Sequence, residues 1–381
     1  MSPTGIQRIE RRIAASLLPG IAFLIVASCG GGETSMAPAS STPTTSPPAA
    51  APASLNMTLL AHLDGAALSG AAPVQGSGCW GYTAPDGRVF ALVGTSGGLS
   101  IVEVTQPTNP RRVAFIPGAT STWREVQTYR QYVYVTTEAK TGLDIVDMSN
   151  PDQPVKVQTW SKTFTSAHTL WIDVPRGLLF ANGTGQGMRV LDLEPDPRDP
   201  VEVGAFTDFY IHDSHTRGET LYASAINDGF LAILDVRRPE AIREITRFFT
   251  GGRFTHNSWL TDDERYLFTT DERRGRPLEG WDISNPLVPR KVSEYIARAG
   301  TLPHNVMIDG NRMVVAHYDE GVHLVDIRDP ERPQTLGFYD TYPGVLTGTF
   351  GAWGAYIFPG SNLIVVSDIT GGLFVVGYTG S

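Results

Sequence analysis

Residues 280–292 read GWDISNPLVPRKV, and residues 142–157 have already read GLDIVDMSNPDQPVKV. Two copies of one phrase in a single chain imply one local structure built more than once. Working outward, the phrase returns as GGLSIVEVTQPTNPRRV (97–113), GMRVLDLEPDPRDPVEV (187–203), GFLAILDVRRPEAIREI (229–245), GVHLVDIRDPERPQTL (321–336) and a shortened GGLFVVGY (371–378). Glu103, Asp147, Asp192, Asp235, Asp282 and Asp326, with Gly377 in the seventh place, mark a period of 43 to 51 residues. A period in the forties made of strand-like units is the mark of propeller blades.

Each phrase has a physical reading. Glycine makes a hairpin turn, and apolar β-formers such as LDIVD or VHLVD make a strand. The acidic residue and the proline after it end that strand, because proline has no amide to donate and Asp favours turns. A second short apolar strand follows, such as VKVQTW. Upstream of each phrase lies another run: RVFALVG, QYVYVTT, GLLFANG, TLYASA, YLFTTD, RMVVAH or LIVVSD. These runs are apolar on both faces and read as the buried inner strands. The seventh unit stops without an outer strand, and LNMTLLAHLD (55–64) resembles the missing piece. The expectation is an all-β, seven-bladed β-propeller over 55–381, closed by an N-terminal strand so that no open sheet edge remains.

The preceding residues are an address. Arg8, Arg11 and Arg12 precede the apolar run 13–28, which is too short and too interrupted by Pro19 to span a bilayer. Residues 1–28 therefore read as a signal peptide. The VASC at 26–29 resembles the bacterial lipobox, which makes Cys29 the lipidation site. Residues 29–54 are the lipidated Cys29 followed by Gly, Ser, Thr, Pro and Ala with no aromatic residue. Such a segment buries too little to offset its ordering entropy and reads as a disordered tether.

The repeated phrases resemble the LVIVD repeat. Together with the lipobox, the chain is similar to the choice-of-anchor B family of bacterial surface proteins. That resemblance implies a propeller displayed on the cell envelope with a binding or surface role. It carries no established chemistry.

Net charge is −9 and the folded region has no Lys/Arg-rich run, which excludes nucleic acid as a partner and leaves the lipid anchor as the sole membrane contact. No G-x-S-x-G, HExxH, CxxC or phosphate-binding glycine loop occurs. Cys79, the one thiol besides Cys29, reads as a small buried residue.

The connectors between blades share a feature. TSAHTLW (165–171), IHDSHTRG (211–218), FTHNSWL (254–260) and LPHNVMI (302–308) place His168, His215, His256 and His304 just before four consecutive inner strands. Trp123, Arg124 and Trp353 hold corresponding places in other connectors. Inner strands run in one direction, so these residues are expected to converge on one mouth of the central channel, where imidazoles suit a divalent transition metal. The alternative is that each histidine ties its connector to the neighbouring blade's backbone. The hairpin acids Glu138, Asp228, Asp271, Glu272, Asp319 and Glu320 are expected at the opposite mouth, and His317 and His323 on a strand surface. The functional expectation is an outer-membrane lipoprotein, periplasmic or surface-exposed, that binds an envelope protein or glycan and catalyses nothing. The alternative is a metal-dependent hydrolase or polysaccharide lyase using the histidine mouth.

Overall fold

The computed structural model describes residues 53–185, 187–344 and 350–380. The expected signal peptide, Cys29 and the tether up to residue 52 lie outside them. Seven antiparallel sheets, each of four strands or more, make the seven blades of a β-propeller. Each repeated phrase forms the third strand of its blade, as in Leu143–Asp147 and Leu278–Asp282.

The acidic residue that marks the period has a local task. The carboxylates of Asp147, Asp192, Asp235, Asp282 and Asp326 each accept the backbone N–H two residues on, at 2.7 to 3.1 Å. That hydrogen bond turns the chain at the end of the strand before proline takes over. Glu103, one carbon longer, instead pairs with Arg111 at 2.7 Å.

Met57–Leu63 pairs antiparallel with Gly372–Tyr378 and supplies the fourth strand of blade 7. Its equivalence to the other outer strands goes down to a single residue. Every outer strand carries one bulge, and the extra residue is always aliphatic: Val113, Val157, Val203, Ile245, Val292, Leu336 and, in the closing strand, Leu60. A bulge bends and twists its strand, so seven at one register give seven matching edges. Ser54–Leu55, read from sequence partly as tether, adds a fifth strand to blade 6. Asn56 makes the step between blades with φ of 51°, a left-handed conformation that asparagine tolerates.

The runs read as inner strands are the second strands of their blades. The innermost strands lie inside the segments read as connectors: Gly76–Thr83, Val126–Tyr129, Leu170–Asp173, Asp213–Arg217, Thr255–Leu260, Pro303–Asp309 and Ala352–Ile357. Stretches such as DSHTR and THNSWL are rich in polar residues, because alternate side chains face the channel rather than a core. They therefore lack the apolar pattern by which a buried strand is recognised. The extra strand also reverses the placing of the hairpins. The loops carrying Glu138, Asp228, Asp271, Glu272, Asp319 and Glu320 join second to third strands, and so lie at the histidine mouth, not opposite it. Between blades, apolar faces pack into local cores, such as Phe180, Val190, Leu221 and Ala223 between blades 3 and 4.

Candidate functional site: an aromatic mouth over a carboxylate channel

Four innermost strands begin with a break in register, between Gly76 and Cys79, Thr255 and Asn257, Pro303 and Val306, and Ala352 and Gly354. The residues freed by these bulges include His256, His304 and Trp353, whose side chains turn over the mouth. Six aromatic rings meet there in a closed circle. Centroids lie 4.3 Å apart for His168–His212, 4.3 Å for His212–His256, 4.2 Å for His256–His304 and 4.4 Å for His304–Trp353. Trp353 stacks on Trp123 at 4.7 Å, and Trp123 meets His168 edge-on at 6.3 Å.

His215 is not in this circle. It sits further along the innermost strand of blade 4, with Tyr222 at 5.1 Å, Trp171 at 5.7 Å and Trp259 at 5.8 Å. The fourth histidine of the mouth is His212. A sequence signal for it exists, since His168, His212 and His256 are spaced 44 and 44 residues apart. Arg124 also points elsewhere: it is buried, with Nε donating to the Thr95 carbonyl at 2.9 Å and Nη2 to Ala119. It staples blade 2 to blade 1.

Hydrogen bonds fix the circle. The Nδ1 of His212 pairs with the His256 carbonyl at 3.1 Å, and that of His304 with the Trp353 carbonyl. These two histidines thus tie one blade to the next. His168 Nδ1 instead meets Glu138 Oε1 at 2.7 Å. Burial drives the imidazoles of His212 and His256 well below the usual histidine range and His304 down to about 3, so all three are neutral at pH 7.

Beneath the circle the channel narrows to a cavity of about 70 Å³ lined by Glu125, Thr169, Asp213, Asn257 and Asn305 among others. That volume holds a few waters and no sugar ring. Desolvation raises Glu125 to about 7, with the Asp213 charge adding to it, and raises Asp213 to about 6. Asn257 bridges three blades: Nδ2 donates to Asp213 Oδ2 at 2.6 Å, and Oδ1 accepts from Val306 N at 3.0 Å. Two residues further along the strands, Trp80, Trp171, Trp259 and Tyr356 cluster at centroid distances of 4.9 to 6.5 Å and floor the channel.

Cys79 is buried, and desolvation pushes its thiol up to about 12, which removes the thiolate a nucleophile needs. His317 and His323, expected on a strand surface, are 2% and 4% exposed. Their rings lie 5.1 Å apart between second and third strands of blade 6.

The sequence profile of the LVIVD repeat matches residues 123–160 and 303–341, which span blades 2 and 6. This chain carries LVIVD repeats. No curated protein matches the chain by sequence. Among solved structures, it is similar to a putative 6-phosphogluconolactonase from Bacteroides fragilis, with a TM-score of 0.57 and 12% identity over 77% of this chain and 86% of that one. At that identity the likeness is one of fold alone.

Proposed function

We propose that this LVIVD-repeat propeller is a lipid-anchored protein of the bacterial outer membrane that binds an envelope protein or glycan at its aromatic mouth. The observation that carries the reading is the Trp123–Trp353 stack at 4.7 Å. Trp123 retains part of its surface and lies beside His168, whose partner Glu138 is 39% exposed. A rigid indole next to an exposed carboxylate offers an apolar face and hydrogen-bond acceptors at little entropic cost. Those are the needs of a sugar ring, and the glycan is the favoured partner. The small cavity beneath supports recognition at the mouth rather than inside the channel. The anchoring part of the proposal rests on Arg8, Arg11, Arg12, the apolar run that follows and Cys29.

The test is to screen the chain lacking residues 1–29 against envelope oligosaccharides and envelope protein extracts, following tryptophan fluorescence. Replacing Trp123 with Ala is expected to weaken binding about tenfold or more, as for an aromatic anchor. Equal binding by the parent and the Trp123→Ala protein would remove the mouth as the binding face.

A further inference from the structure

Three groups from blades 5 and 6 converge at one side of the mouth. His256, Glu272 and His304 each bring one ligand atom to within 4.8 Å of the others. His256 Nε2 lies 3.9 Å from Glu272 Oε2. The side chains of these two residues are 4% and 20% exposed, so the carboxylate opens toward solvent while the imidazole does not.

The surrounding hydrogen bonds leave one lone pair unused on His304 and on Glu272. His304 Nδ1 is engaged by the Trp353 carbonyl, which fixes the proton there and leaves Nε2 as the bare nitrogen. That Nε2 is buried, in a residue 1% exposed, with no hydrogen-bond partner among the described residues. A buried acceptor left without a partner costs free energy unless something fills its lone pair. Glu272 is held from the other side: Tyr318 donates its hydroxyl to Oε1 at 2.8 Å, which leaves Oε2 facing His256. One histidine oriented by a carbonyl and one carboxylate oriented by a hydroxyl are the supports that metal ligands commonly have.

We propose that His256, Glu272 and His304 form a three-ligand site for a divalent transition metal of the zinc class, open to solvent on the Glu272 side. Two imidazole nitrogens and one carboxylate oxygen are ligands that zinc accepts, with a fourth position left for water. Bound at about 2.0–2.2 Å to each, an ion draws the three atoms about an ångström closer together. The ligand set differs from one made of histidines alone. The carboxylate comes from a hairpin 16 residues beyond His256, and neither His215 nor His168 takes part.

Zinc binding by the chain lacking residues 1–29 tests the site without reference to any ligand of the mouth, so its failure leaves the binding proposal standing. The protein is stripped with chelator, loaded with Zn²⁺, dialysed and assayed for metal per chain. Co²⁺ loading adds a visible spectrum that reports the coordination directly. The expected result is one ion per chain, with metal affinity falling at least tenfold in Glu272→Gln. Tyr318→Phe, which loses only the supporting hydroxyl, is expected to fall about 10–100-fold. His62→Gln, a histidine stacked on Phe374 in the closing strand, should bind as the parent does. Circular dichroism establishes that each variant is folded, and because Glu272 is partly exposed its variant decides the outcome even if a His304→Gln protein unfolds. A parent that retains no stoichiometric zinc, or a folded Glu272→Gln protein that retains it as well as the parent, overturns the proposal.

Discussion

Trp353 in blade 7 donates its indole N–H to Glu125 Oε1 in blade 2 at 2.7 Å, across 228 positions of sequence. Blade 1 lies between them. It permits the contact because it offers Gly78 at that register, where a Cβ would stand 2.0 Å from Glu125 Oε2. The bond latches together three consecutive blades beside the seam at which the ring closes.

Gly78→Ala should therefore be costly in a way that its neighbour is not. The new methyl displaces the Glu125 carboxylate and leaves a buried indole N–H without its acceptor, a loss of about 1–3 kcal/mol. Gly354 opens the equivalent strand of blade 7, and a Cβ there meets nothing nearer than 3.6 Å. Gly354→Ala should then cost less than about 1 kcal/mol. Urea unfolding of both proteins checks this, and equal losses would show that the latch contributes nothing.

Acid should destabilise the propeller from about pH 6.5 downward. His212, His256 and His317 are held well below the usual histidine range, and His215 and His304 at about 3, each chiefly by burial. As pH falls below 6.5 the unfolded chain takes up protons that the native state refuses, so their contribution to stability is lost. Glu125 and Asp213 act with the opposite sign. Their native values of about 7 and 6 lie above those of the unfolded chain, so their contribution is full below about pH 4 and is lost as pH rises through 6 to 7. Glu272, Asp340 and Asp368 are raised by burial as well, so five imidazoles oppose five carboxyls; the imidazoles are displaced further, which predicts a melting temperature that falls from pH 6.5 to 4.5. Glu125→Gln removes an opposing group, so its stability relative to the parent should rise from about pH 5 to 7 and level off above that. A difference independent of pH would contradict the burial of that carboxyl.

The closing strand should carry far more stability than the segment before it. Met57 is 4% exposed and packs in the core of blade 7, with Leu60 against the same cluster. Met57→Ala is expected to cost about 2–5 kcal/mol, the range for a large buried side chain cut to alanine. Deleting residues 30–52 should leave the melting temperature nearly unchanged. Differential scanning calorimetry distinguishes the two, and a similar drop in both would mean that the ring does not depend on its N-terminal strand.

Replacing Cys29 with Ala should release the protein from the membrane fraction or stall its processing. Acyl chains are the proposed attachment, and neither the Gly/Ser/Pro-rich segment nor an acidic body supplies another. Fractionation followed by N-terminal sequencing gives the answer. A processed Cys29→Ala protein that stays firmly on the membrane removes the lipoprotein proposal.

The number of blades, the third strand of each and the closing strand were all legible in the sequence. They rest on local chemistry: an apolar run, an Asp that turns the chain two residues on, and a proline that cannot continue a ladder. The shared outer-strand bulge emerged only with the strand register, where it falls on an aliphatic residue at a fixed place, from Val113 to Leu336 and again at Leu60. The innermost strands were not legible, because their alternate residues line a channel. Nothing in DSHTR or THNSWL announces a buried strand. Missing that strand puts the hairpin acids at the wrong mouth and sets His215 where His212 belongs. Only the closed ring decides these points: its curvature brings His304 to Glu272 and Trp353 to Glu125, and no local pattern encodes a contact between blades.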